Sequence, residues 1–126
     1  MSYTTDEKNL SATLLCKQLV GMHFAVARAW VTCEQGLNGN VFGITDSQGK
    51  LLVFNTMAAG VLAASVLIKN SPLYAGIIAS LKLPALEQAR AIVRCPWHLG
   101  PTGLKNAGGR DPYYARVFAT QGFPGL

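Results

Sequence analysis

A chain of 126 residues has room for one domain with a single hydrophobic core. Half of its residues are hydrophobic and 13% are charged, which excludes a disordered chain. The net charge of +5 is scattered from Lys8 to Arg116 without a basic run. A nucleic-acid patch is therefore weakly supported, whereas a diffuse positive charge suits any polyanionic surface, a bacterial cell wall included.

No repeat, linker or low-complexity tract interrupts the chain, so residues 1–126 are expected to form one domain. The first helix is predicted through NLSATLLCKQLV, where Leu10, Leu14, Leu15 and Leu19 recur at helical spacing and Gly21 marks the stop. A second helix, HFAVARAWVTCEQ, places Phe24, Ala27, Trp30, Val31 and Glu34 along one side. Then VFGIT and KLLVF flank the turn-rich DSQG and predict a β-hairpin. A third helix, MAAGVLAASVLIKN, capped by Asn55 or Thr56, is apolar nearly all round and is expected to be central. Pro72 opens a fourth helix, PLYAGIIASLK, and Pro84 a fifth, PALEQARAIVRC. The Gly/Pro-rich segment 96–112 is a loop, after which Asp111 or Pro112 opens a last helix, YYARVFAT. The expected class is α+β, mostly helical, with about six short helices and one small β-hairpin after the second helix.

The stretch 51–68 is the most membrane-like, but it holds Asn55, Thr56 and Ser65 and barely reaches spanning length; a buried helix is expected, without membrane insertion. Cys16, Cys33 and Cys95 are odd in number and widely spaced, which indicates neither a disulfide framework nor a metal site, and no cofactor is implied. Buried thiols in a protein made in a reducing cytoplasm fit this pattern. The polar start MSYTTDEKNLS has no basic segment followed by an apolar one, so synthesis without a signal peptide is expected.

Glu34 is the acid that stands out. It shares a mostly apolar helix face with Trp30 and Val31, and it sits at a helix C-terminus, where the dipole disfavours negative charge. Burial and dipole both push its pKa up, the direction a general acid needs. The other five acids have simpler roles. Asp6 and Glu7 lie near the chain start, Glu87 pairs with Arg90 or Arg94, and Asp111 is an N-cap before Pro112. Asp46 is either a turn residue or a base that positions water across a cleft. His98 and Cys95 are close in sequence, but no activating motif surrounds a cysteine, so a loop histidine without catalytic duty is the simpler reading over a thiol peptidase.

After Glu34 comes Asn38-Gly39-Asn40-Val41-Phe42-Gly43-Ile44; later come Phe54-Asn55-Thr56 with Gly60 and Ala63, Tyr74-Ala75-Gly76-Ile77, Cys95-Pro96-Trp97, and Arg110-Asp111-Pro112-Tyr113-Tyr114-Ala115. Over roughly residues 9–118 this order resembles the lysozyme-like superfamily, and within it the phage and bacterial peptidoglycan glucosaminidases and transglycosylase-like domains. The resemblance implies a lysozyme-like domain cleaving peptidoglycan glycan strands, as a muramidase, glucosaminidase or lytic transglycosylase. It implies Glu34 as general acid, with Asp46 or the substrate itself in the second role, and Phe42, Trp97, Tyr113 and Tyr114 at the sugar. It also implies a phage lysin acting at the wall, either free or with other virion proteins. The rival from another class is a non-catalytic lysozyme-like module that binds glycan or builds a virion; a nucleic-acid-binding domain comes third.

Overall fold

Helix α1, Thr5–Gln18, begins before the leucine pattern does because Thr4 and Glu7 form a reciprocal capping box. The Thr4 side chain accepts from Glu7 N at 3.1 Å, and Glu7 accepts from Thr4 N at 2.8 Å. Leu15 and Leu19 reach the core, while Leu10 stays exposed. These observations come from a computed structural model that describes residues 2–98 and 109–126; most of the Gly/Pro-rich loop expected over 96–112 lies outside the described residues.

Helix α2, Phe24–Glu34, is the central one. Val26, Ala27, Ala29, Trp30 and Val31 are completely buried, and the helix packs against three others: α1, α5 (Ala85–Val93) and α6 (Pro112–Thr120). Buried Gln88 of α5 ties the turn before α2 in place. Its Oε1 accepts from His23 N at 2.9 Å and its Nε2 donates to Gly21 O at 2.8 Å. A fully buried carboxamide needs such partners, and here both ends are satisfied.

The third helix, α3, spans Met57–Asn70 as the sequence predicts, capped by Thr56, whose Oγ1 accepts from Ala59 N at 3.1 Å. Its expected central position is corrected. It packs on α1 and on α4 (Ala75–Ser80), burying Val61, Ala64 and Ile68, but leaves Leu62, Val66 and Leu67 between 41% and 49% exposed. An all-apolar sequence does not by itself select the helix that every other element surrounds. The 3-10 turn Pro72–Tyr74 leads into α4, and the chain bends by 90° at this point. Among the described residues no single helix is long and apolar enough to cross a membrane.

The structure is mostly helical, and the β component is smaller than expected. The two arms of the hairpin form a single bridge, Thr45 with Leu51. Around it, Leu52 N donates to Ile44 O at 3.0 Å and Asp46 N to Lys50 O at 2.8 Å. The next ladder bond is replaced by a side chain. Buried Asn40 accepts from Ile44 N at 2.9 Å and donates to Leu52 O at 2.9 Å, so its amide stands between the two strands. Once that amide is inserted, the ladder cannot continue in register.

This loop is pressed against α3 at Gly60, where an added Cβ would lie 1.8 Å from Gly39 O and 2.9 Å from Gly39 C. Because the obstructing atoms are backbone, Gly60→Ala is expected to destabilise the fold by about 1–3 kcal/mol or more. Urea denaturation of both proteins should show the midpoint falling in the variant.

Candidate active site

The end of α2 is built to stop at Glu34. Gln35 adopts the left-handed conformation (φ 47°) and donates its N–H back to Val31 O at 3.0 Å. Gly36 then donates to Val41 O at 3.0 Å and passes so close to Asn40 O that a Cβ would sit 1.9 Å from it. The N-terminal segment clamps this corner. Tyr3 N donates to Gln35 Oε1 at 2.6 Å, and the Tyr3 hydroxyl donates to Gly36 O. Glu34 is thus held on a fixed backbone with its side chain partly exposed.

Its carboxylate meets a chain of hydrogen bonds running into the core. Trp30 is wholly buried, and its Nε1 donates to the Tyr114 hydroxyl at 3.0 Å; that hydroxyl donates to Glu34 Oε1. Tyr114 is wholly buried too, so its hydroxyl has one donor and one acceptor and no water to replace either. Burial raises the Glu34 pKa from the ordinary 4.5 to about 7. The Tyr114 hydrogen bond and the charge of His98 pull it down, and the charge of Asp111 adds to the rise. Desolvation outweighs the rest, so near neutrality Glu34 is a proton-holding acid, with Tyr114 ready to stabilise the anion left after proton loss.

Asp111 does more than the sequence suggests. One oxygen, Oδ1, caps α6 by accepting from Tyr114 N at 3.1 Å; the other, Oδ2, lies 2.6 Å from His98 Nδ1. The Asp111 side chain is almost fully buried, whereas that of His98 is 34% exposed. The imidazole stacks on Tyr114, with ring centres 5.2 Å apart, and lies 4.9 Å from the ring of Tyr113. The Tyr113 hydroxyl donates to Cys33 O at 3.0 Å, next to Glu34. Sequence reasoning missed this histidine–carboxylate pair. The only available signal was that an N-cap uses one carboxylate oxygen and leaves the other for a partner.

The remaining expected site residues are not gathered at Glu34 in the way foreseen. Asp46 is exposed, and its Oδ1 accepts from Gln48 N at 2.8 Å and Lys50 N at 3.0 Å, the work of a turn residue. Phe42, Trp97 and Tyr114 are 2%, 9% and 0% exposed, which corrects their expected role as sugar platforms, since none presents a ring face to solvent. They serve packing instead. Trp97 Nε1 donates to Phe42 O at 2.8 Å, and Trp30, Phe42 and Trp97 meet edge to face. Tyr113 keeps partial exposure, with Arg116 5.8 Å from its ring centre. His98 pairs with Asp111 and not with a cysteine thiol.

Beyond the helix end, a groove of about 330 Å³ is lined by Gln35, Leu37, Asn38, Asn40, Leu51 and Val53, among others. Its surface combines the apolar side chains of Leu37, Leu51 and Val53 with the Asn38 side chain, while the amides of Gln35 and Asn40 are engaged in internal hydrogen bonds. Among the described residues no group of three or more His, Cys, Asp or Glu is placed to hold a metal ion.

A raised carboxyl pKa costs stability where the folded protein must ionise the group. As pH rises from 4.5, the unfolded chain releases the Glu34 proton while the folded protein keeps it until about 7. The unfolded state then binds fewer protons, so stability falls across this window, by on the order of 3 kcal/mol in full. Glu34→Gln removes the penalty. Its Tm relative to wild type should be higher at pH 8 than at pH 4, and thermal melts at the two pH values check this.

No family model matches the chain, and neither a curated protein nor a solved structure matches it.

Proposed function

We propose that this chain is a lysozyme-like enzyme that cleaves the glycan strands of peptidoglycan, as a muramidase, glucosaminidase or lytic transglycosylase, with Glu34 as general acid. One observation carries the reading. A carboxyl group at the end of the central helix is buried enough to hold its proton up to about pH 7, yet it is partly exposed, and the residue after it, Gln35, lines a groove. The Asn-Gly-Asn-Val-Phe-Gly-Ile stretch following that glutamate, and the Asp-Pro-Tyr-Tyr-Ala stretch that supplies Tyr114, are the segments in which the chain resembles cell-wall glycosidases.

In this reading a strand lies along the groove with one bridging oxygen at Glu34. The acid gives that oxygen its proton as the anomeric C–O bond breaks. The carboxylate that forms is an acceptor for the Tyr114 hydroxyl, so the contact strengthens as charge develops. Without it, the buried anion would be costlier to form. A net charge of +5 favours approach to a polyanionic wall. A phage lysin, free or carried in a virion, is the setting that fits best.

A second reading, a non-catalytic module of a larger assembly, is favoured by the exposed Leu62, Val66 and Leu67 face of α3. Incubation with purified peptidoglycan and mass spectrometry of the supernatant separates the two. Muropeptides should appear with wild type and be absent with Glu34→Gln; no fragments from wild type on several wall types leaves the second reading.

The rate should decline as pH rises through about 7, because the donor must be protonated. Tyr114→Phe removes the hydrogen bond that lowers the Glu34 pKa, so the alkaline limb of its profile should move to higher pH. The same variant leaves Trp30 Nε1 without its partner and is expected to lose about 1–3 kcal/mol of stability, measurable by denaturation.

A further inference from the structure

Glycoside cleavage with one acid leaves a proton to be removed from the attacking hydroxyl. Asp46, the acid expected in that role, is engaged in its own turn. Another group is joined to Glu34 through Tyr114. The His98 ring stacks on Tyr114, whose hydroxyl donates to Glu34, so one tyrosine joins the histidine to the acid.

The pairing with Asp111 determines what this imidazole can do. A carboxylate accepts hydrogen bonds, so Nδ1 carries the hydrogen towards Oδ2, and Nε2 is the nitrogen with a lone pair. Asp111 is itself immobilised, with Oδ1 on Tyr114 N and its own N–H donating to Val93 O at 2.9 Å. The tautomer and the ring orientation are therefore both set by the fold, the arrangement found where a histidine serves as base. Among the described residues, the groups facing His98 are Asp111, Tyr113 and Tyr114 from α6 and its cap, and Glu34 from α2.

We propose that His98, oriented by Asp111, is the general base of the site, working opposite Glu34. This inference rests on the glycosidase reading. A hydroxyl, from water or from the sugar itself, gives its proton to His98 Nε2 as its oxygen bonds to the anomeric carbon. The old C–O bond breaks with its electron pair going to the bridging oxygen, which takes the proton of Glu34. One proton is gained by His98 and one lost by Glu34, and return of that proton through solvent restores both.

The test is steady-state turnover of purified peptidoglycan by wild type, Glu34→Gln, His98→Asn and His98→Ala, all with matching circular dichroism. Asparagine keeps a donor for Asp111 but has no basic nitrogen. His98→Asn is expected to lower kcat by roughly 10²–10⁴-fold with KM little changed, and added imidazole to restore part of the rate of His98→Ala. Turnover by His98→Asn within about threefold of wild type, while Glu34→Gln is inactive, would overturn the base and leave the Glu34 reading standing. A rate loss in His98→Ala without rescue by imidazole also overturns it and makes His98 a positioning residue. No fragments from wild type overturns both readings at once.

Discussion

The hydroxyl of Tyr114 is the constraint on which the site depends. It lies in the dry interior, accepts from Trp30 on one side and donates to Glu34 on the other. A buried hydroxyl so placed cannot lose either partner cheaply, because no water replaces it. The result is a fixed geometry between helices far apart in sequence, α2 and α6. Glu34 is held in one orientation, partly dehydrated, with the Tyr114 hydroxyl donating to Oε1. Burial gives it the capacity to hold a proton near neutrality, while the Tyr114 contact opposes that rise and favours its anion.

The placement of α6 rests in turn on Asp111. Its cap fixes the first turn of the helix, and its second oxygen holds His98 over the same tyrosine. Acid and histidine therefore share one support, and a displacement of α6 would disturb both. This economy has a structural counterpart in the loop between α2 and α3. There the carboxamide of Asn40 takes the place of a ladder bond, and Gly36, Gly39 and Gly60 let three stretches of backbone approach where a Cβ would clash. The groove that begins at Gln35 is walled by this side-chain-braced loop and needs no sheet.

The aromatic residues show how burial divides labour. Trp30, Phe42, Trp97 and Tyr74 form one cluster beneath this loop, joined by edge and tilted ring contacts and by the Trp97 bond to Phe42 O. Such a cluster stiffens this part of the core. It also withdraws those rings from solvent, whereas Tyr113 keeps partial exposure.

By itself the sequence determined that the chain is mostly helical and where most helices lie, and it singled out Glu34 among the acids. These depend on neighbours three or four positions away: the leucine spacing of α1, Thr56 before α3, Asp111 before Pro112, and Glu34 on an apolar face at a helix end. Which helix would be central was not legible, because α2 and α3 are both apolar and only packing shows that α3 turns Leu62, Val66 and Leu67 outward. Nor was the short hairpin legible, since the alternation of Val41–Thr45 and Lys50–Phe54 carries no sign that Asn40 will insert between the arms. The Tyr114 hydroxyl on Glu34 and the His98–Asp111 pair were decided by tertiary structure alone. Glu34 and Tyr114 are 80 positions apart, and nothing in local propensity records a hydrogen bond that forms only when two helix ends meet in a space from which water is excluded.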